Sequence, residues 1–441
     1  MNHPAPKARK HLSADALLRL VRGAFAQIPD HRPPGYTIPL ADALMAGFAL
    51  FALKEPSLLA FDQRRQDVNF QNLFGIEHVP CDTQMRSILD GVDPVALRPA
   101  FRAVFRQLQR GKALEPLAFY QGCYLLALDG TGYFSSEKIH CASCLHKTDR
   151  QTGQVTYYHQ LLGAVLLHPD FPEVIPLAPE PIIQQDGTTK NDCERNAARR
   201  FLAWFRPEHP HLPVILVEDG LSSNAPHIED LHAYKVHYLL GVKEGDHAFL
   251  FEQVRAASDA GRAPIFDRPG PVADVEYHFR LVTDVSLNAS HPELRVHFFE
   301  CWEEKDDQLT HYSWITDLTV TPANIVTLMR GARARWKIEN ETFNTLKNQG
   351  YHFEHNYGHG EQNLSVVFAL LMMLAFLVDQ TQQLCSDLFR QVWAKLGSKR
   401  CLWERLRSMF HDFLLTTMQE LYEALLHGHA KQRPVLVNNS S

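Results

Sequence analysis

Apolar residues recur at helical spacing through LSADALLRLVRGAF, PLADALMAGFALFAL and VALRPAFRAVFRQLQ, so residues from about 12 to 115 read as helices broken by the turn-forming IPDHRPPGY. From about residue 122 the pattern changes. CYLLALDG, VTYYHQLLGAVLLH and VIPLAPEPII are short runs rich in apolar and aromatic residues, bounded by Gly, Pro and Asp, and they predict strands. Asn191 followed by Glu194 has the spacing of a capping box, and the helical period of CERNAARRFLAWF predicts a helix over about 192–206. LPVILVEDG then has the length and composition of a buried strand ending in an acid.

HYLLGV, VEYHFRLV, LRVHFFECW and HYSWITD are further strand-like pieces, and TPANIVTLMRGARARWKIENETFNTLKNQ reads as helix. The apolar run Leu364–Val378, 15 residues including Ser365, is too short for a comfortable membrane span and predicts a buried helix. The last residues, KQRPVLVNNSS, read as a frayed end. Five segments follow: an N-terminal helical domain over 1–118, the first part of an α/β core over 119–233, a β-rich insertion over 234–312, completion of the core over 313–385, and C-terminal helices over 386–441.

A chain of 441 residues, 45% hydrophobic and 21% charged, has the composition of a soluble globular protein of two or three units. Its net charge of -6 lacks the basic excess common in nucleic-acid-binding proteins, but a local basic stripe can bind DNA on an acidic chain. The eight cysteines are mostly scattered singly, which suits a reducing cytosol rather than a disulfide framework. The basic start, MNHPAPKARKHL, lacks the continuous apolar core of a secretory signal.

Asp129 ends YLLALD before GTGYF, and Asp219 ends LPVILVED before GLSSN. An isolated Asp-Gly is usually a turn. Two acids at the ends of buried strands instead suit phosphoryl transfer, in which divalent cations held by carboxylates activate the attacking oxygen and stabilise the leaving one. Asp90, within a helical stretch, and Asp186, after the loop-like PIIQQ, lack that context.

LALDGTGYFSSEKIHC, QQDGTTKNDCERNAARRFL, VILVEDGLSSNAPHIEDL and RARWKIENETFNTLKNQGYHFEHNYGHG, in this order over roughly residues 120–360, resemble the DDE transposases of bacterial insertion sequences. The similarity is to the group with a β-strand insertion before the last acid. Asp129 and Asp219 stand 90 residues apart, and Glu339 follows 120 residues later, leaving room for that insertion. The resemblance implies a ribonuclease-H-like core, to which three strands, a helix and a further strand also conform. It further implies cut-and-paste transposition with two Mg²⁺ or Mn²⁺ ions held by Asp129, Asp219 and Glu339. The family signature around the last acid places Tyr, Arg, Glu and Lys at set spacings. Arg335 fits it, four residues before Glu339; Ala332 stands at the Tyr place, and Lys347 one residue beyond the Lys place.

Helix geometry separates the two acids of RWKIENETF. At about 100° per residue, Glu339 shares a face with Leu346, Phe343, Trp336 and Arg335, whereas Glu341 falls among Lys337, Asn344 and Asn348. An acid facing a core is costly unless paired or metal-bound, which favours Glu339 as the third ligand. Arg330, Arg333, Arg335, Lys337 and Lys347 form a basic stripe for DNA, and Lys190, Arg195, Arg199 and Arg200 have the pattern of either a second stripe or a solvated helix face. Trp314 holds the place of a Trp that stacks on a flipped base in some relatives; a core strand Trp is the competing reading.

His140, Cys141, Cys144 and His146 carry side chains of zinc-ligand type, but the spacing between Cys144 and His146 is tight and no second CxxC follows. The stretch reads as a loop, with structural Zn²⁺ at Cys141 and Cys144 as the alternative. His352, Glu354, His355 and His359 read likewise as a loop near DNA. The resulting expectation is a cytoplasmic, nucleoid-associated transposase acting on element ends and target DNA as a homodimer assembled on DNA, without a membrane. The alternatives are a nuclease of the same fold that cannot join ends and a catalytically silent repressor of transposition.

Overall fold

The computed structural model describes residues 10–184, 191–272, 274–306 and 308–428. The chain is a mixed α/β protein with N-terminal helices, a large mixed sheet and C-terminal helices. Asp186, Lys190 and the KQRPVLVNNSS end fall outside the described residues.

The first helices are α1 (Ala14–Phe25), α2 (Leu40–Ala52), α3 (Leu58–Gln63), α4 (Asn69–Phe74), α5 (Asp82–Asp90) and α6 (Arg98–Arg110). In α1 the Ser13 hydroxyl caps the first turn by accepting from the Ala16 N–H, and Leu17, Leu18, Val21 and Phe25 form the buried stripe. Nearly all of α2 is buried, as its composition demands. Its cover is α12 (Leu364–Cys385), which also packs on α5 and α6 and is itself buried over almost its whole length. This helix has 22 residues, against an apolar run of 15, because Asp379–Gln383 continue it inside the protein. By length and composition it could cross a membrane, yet here it is enclosed by protein.

The polar end of α12 stays inside because its charge is matched. Lys54 Nζ lies 2.5 Å from Asp379 Oδ2 and over the Trp403 ring at 3.8 Å, and the Tyr351 hydroxyl donates to the same carboxylate at 2.6 Å. The chain ends in α13 (Asp387–Leu396), α14 (Lys399–Asp412) and α15 (Met418–His427), and α15 packs on α1. Thus the N-terminal and C-terminal helices share one hydrophobic core.

The sheet holds β1 (Ala118–Tyr120), β2 (Cys123–Ser136), β3 (Leu145–Thr148), β4 (Val155–Leu167), β5 (Ile175–Pro176), β6 (Glu180–Ile182), β7 (Val214–Glu218), β8 (His237–Gly241), β9 (Ile265–Pro269), β10 (Val275–Asn288), β11 (His291–Lys305) and β12 (Gln308–Thr316). Its order is β3-β4-β2-β7-β8-β12-β11-β10-β9, with β1 on β2 and both β5 and β6 on β4. Strands β2, β7 and β8 run parallel to one another and the other pairings are antiparallel.

Three local expectations differ. Strand β8 falls within the segment read as an insertion but pairs with β7, and β9 to β12 extend the same sheet. The segment also contains α9 (Ala248–Asp259), whose Leu250, Phe251, Val254 and Ala257 show the helical period in the sequence. The helix read over TPANIV to LKNQ is broken into α10 (Ile325–Arg333), a π-helical turn Ile338–Phe343 and α11 (Asn344–Asn348). The remaining helices are α7 (Glu194–Glu208) and α8 (Ala225–Ala233).

Candidate acidic active site

Parallel pairing of β2 with β7 matches Ala127 to Val217, so Asp129 and Asp219, each two residues further on, lie at the same level. Asp219 follows the end of β7, whereas Asp129 sits within β2, which runs on to Ser136 paired with β4 rather than ending at the acid. The buried runs Leu125–Leu128 and Val214–Glu218 anchor both strands beneath them. Glu218, next to Asp219, borders the same cleft but is buried and already paired with His227 of α8 at 2.6 Å. That neighbour holds the His227 imidazole above its ordinary range against the opposing effect of burial.

The third acid arrives from the π-helical turn. Phe343 lies against Gly163 of β4, where a β-carbon would stand 2.8 Å from the ring, and Gly163 is the β4 partner of Asp129. A side chain at that position would displace the segment that carries Glu339. One Arg335 Nη1 lies 3.1 Å from Asp129 Oδ2 and 3.1 Å from Glu339 Oε1. Glu341 instead acts on Lys337 and Lys399: burial pulls both ammonium groups below their ordinary range, and the Glu341 carboxylate opposes the shift. Glu339 rather than Glu341 thus shares Arg335 with Asp129, but the helical wheel does not describe the segment. Trp336, placed by the wheel on the apolar face, is 53% exposed beneath the Arg335 guanidinium, because a π turn breaks the period that the wheel assumes.

A further acid joins this group. Glu194 makes no capping box, since Asn191 bonds the backbone of His146 from both ends of its amide and Cys193 begins the helix without a side-chain cap. The Glu194 carboxylate lies over Gly130, where a β-carbon would be 2.2 Å from its Oε1. Asp129, Glu194 and Asp219 line one cleft of about 280 Å³ with Gln160 and Arg195. The larger cleft, about 670 Å³ and lined by Arg98, Glu180, Arg200 and Trp204, lies away from the three candidate acids, and Glu180 pairs with both of its arginines.

Burial pushes the Asp129 carboxyl up to about 7; Arg335 opposes the shift, and Glu339, Glu194 and Asp219 add to it. Burial, followed by Asp219 and Glu218, likewise raises Glu194. The acids are thus gathered with less positive charge than they need, which is the electrostatic condition of a cation site.

The proposed basic stripe is largely neutralised within the fold. Arg330 pairs with Asp170, Arg333 with Glu303, and Lys347 with Glu354 at 2.9 Å, while Lys337 donates to the Phe171 carbonyl at 2.7 Å. Asp170 and Glu303 are distant in sequence, and Glu354 lies just beyond the stretch that ends at Lys347, so a charge count over 329–347 does not include them. In the second set, Arg199 pairs with Asp230 and Arg200 with Glu180 and Asp192. Trp314 is packed in the sheet between Phe299 and Tyr312, at 7% exposure, so it is not free to stack on a base in this conformation. Asp90 is a loop anchor: against burial, the N–H groups of Glu361, Gln362, Asn363 and Leu364 hold its carboxyl below the usual range.

Gly163→Leu is expected to lower the unfolding free energy by about 1–3 kcal/mol, the usual cost of overpacking, and to impair any activity of the acidic site. Chemical denaturation and a cleavage assay check both effects; an unchanged protein would mean that Phe343 has room to move aside. No protein-family model matches the chain, and no curated protein matches it significantly, so its function has to be read from the chemistry of this site.

Proposed function

We propose that the chain is a DNA transposase that cuts and joins DNA phosphodiesters at an acidic site on a ribonuclease-H-like core. The observation that carries this reading is the convergence of Asp129 and Glu339 on one Arg335 guanidinium, with Asp219 at the adjacent strand end. The order β4-β2-β7-β8, with β4 antiparallel to β2 and the others parallel, supports the ribonuclease-H-like assignment.

Asp129, Asp219 and Glu339 are the proposed ligands, and their clustered, incompletely neutralised carboxylates suit hard cations. When bound, two Mg²⁺ or Mn²⁺ ions would activate the attacking oxygen and offset charge on the leaving oxygen. Glu194 supplies further negative charge at the same cleft. Arg335 holds two of the acids together and offers a guanidinium suited to phosphate. Element ends are assigned to the N-terminal helices, and two copies of the chain to each pair of ends.

Purified protein incubated with DNA carrying the element ends and Mg²⁺ should cut at those ends and join them to target DNA, and chelator should stop both reactions. Cleavage without joining of pre-cut ends would identify a nuclease; specific binding without either reaction would identify a repressor.

The raised Asp129 carboxyl gives a pH test. The folded chain keeps a proton there that the unfolded chain releases in the ordinary carboxylate range. This contribution favours folding below that range and is lost as pH rises through about 7. Mg²⁺ must displace the same proton, so its stabilisation of the protein should be greater near pH 8 than near pH 6. Thermal melts with and without Mg²⁺ measure this, and equal shifts at both pH values would remove Asp129 from the ligand set.

A further inference from the structure

Away from the acids, the loop between β2 and β3 carries Cys141 and Cys144, and β4 carries His159. The fold brings His359, which precedes α12, to the same point. The donor atoms of these four residues all lie within 4.8 Å of one another. Cys141 Sγ is 3.8 Å from Cys144 Sγ and 3.5 Å from His159 Nε2; Cys144 Sγ is 3.4 Å from His159 Nε2 and 3.3 Å from His359 Nε2.

A tetrahedral zinc ion with Zn–S about 2.3 Å and Zn–N about 2.0–2.1 Å sets its sulfurs about 3.8 Å apart, and each sulfur about 3.6 Å from a nitrogen. The observed separations match that polyhedron within about 0.3 Å. A Cys141–Cys144 disulfide would instead require a sulfur separation of about 2.05 Å. Both imidazoles present the same atom, Nε2, to the sulfurs.

Their alignment comes from packing. The buried Nδ1 atoms of His159 and His359 have no hydrogen-bond partner among the described residues. The ring of Tyr133 stacks on His159 at 5.8 Å, and Phe134 lies against His359 at 4.2 Å. His159, Cys144 and His359 are all buried, leaving little room for a substrate. His140 and His146, adjacent to the cysteines in sequence, are turned away: His140 stacks on Tyr157, and His146 meets Gln184.

We propose that Cys141 Sγ, Cys144 Sγ, His159 Nε2 and His359 Nε2 form a closed structural zinc site. It would tie the loop after β2, the strand that bears Asp129, to β4 and to the segment that follows the Glu339 turn. The Ser143 hydroxyl already donates to the Gln362 carbonyl across the same junction at 3.2 Å. The ion would therefore stabilise the packing of two parts of the acidic site without touching substrate. This inference does not rest on the transposase reading, because its measurement needs no DNA.

The test is metal analysis of the full chain, purified under reducing conditions without added zinc. Wild-type protein is expected to carry about one zinc per chain, released when a mercurial titrates the thiols. Cys144→Ser and His359→Ala should each lose most of it, while His355→Ala, at an exposed position in the same loop, should keep it. Should those variants fail to fold, cobalt substitution of wild-type protein provides an independent readout, since tetrahedral thiolate ligation gives a charge-transfer band and intense visible d–d bands. Zinc-free wild-type protein that takes up neither metal, or a Cys141–Cys144 disulfide found by mass spectrometry in the native protein, would overturn the site. Full zinc retention by the folded Cys144→Ser variant would do the same.

Discussion

Asp129→Asn, Asp219→Asn and Glu339→Gln are each expected to lower metal-dependent DNA cleavage by about 10³-fold or more, the scale on which loss of a member of a concerted catalytic set falls. Each substitution keeps side-chain size while removing the charge that holds a hard cation. Binding of element ends should remain measurable, because the acids do not themselves attract phosphate. The decisive contrast is Glu341→Gln, only two residues from Glu339, which should stay near wild type because Glu341 faces Lys337 and Lys399 rather than Asp129. Cleavage by the Asn and Gln variants at wild-type rates would remove the three acids from the chemistry. Loss of activity in Glu341→Gln with survival of Glu339→Gln would move the third ligand along the turn. Glu194→Gln is a further informative variant, since its carboxylate enters the same cleft over Gly130.

Lys54→Met is expected to cost about 3–5 kcal/mol of stability, as for other buried pairs that lose one partner. Lys54 and Asp379 are both enclosed, and burial pushes Lys54 down and Asp379 up, so neither charge is comfortable without the other. The methionine leaves Asp379 with only the Tyr351 hydroxyl among its partners described above. Replacing Lys54 and Asp379 with Met and Leu, together with Tyr351→Phe, removes the charges and the stranded donor at once and should recover most of the loss. Urea denaturation of the single and triple variants measures the difference. A Lys54→Met protein as stable as its parent would show that the pair does not tie α2 to α12.

Much of the helical and strand pattern was legible because side-chain periodicity reports which face is buried. The repeat in LSADALLRLVRGAF marks α1, and the continuous apolar run LPVILVED marks β7 as covered on both faces. The same run placed Asp219 at a buried strand end. The wheel was less informative at Glu339, for it presumes an unbroken α-helix, and hydrogen bonding there shifts into a π turn. Ile338, Phe343 and Leu346 are nevertheless buried, so one side of the segment is covered in either geometry.

The sequence by itself determined the buried run that leads to Asp219, the amphipathic helices and the apolar α12, since each is written in the order of neighbouring side chains. Tertiary structure alone decided that β9 to β12 prolong the central sheet, and that Asp170 and Glu303 neutralise Arg330 and Arg333. It likewise turned Glu194 towards the acids and gathered His159 and His359 around Cys141 and Cys144. These features depend on pairings between residues far apart in the chain, selected by sheet register and by burial of groups that must find a partner, and a local pattern carries no record of either.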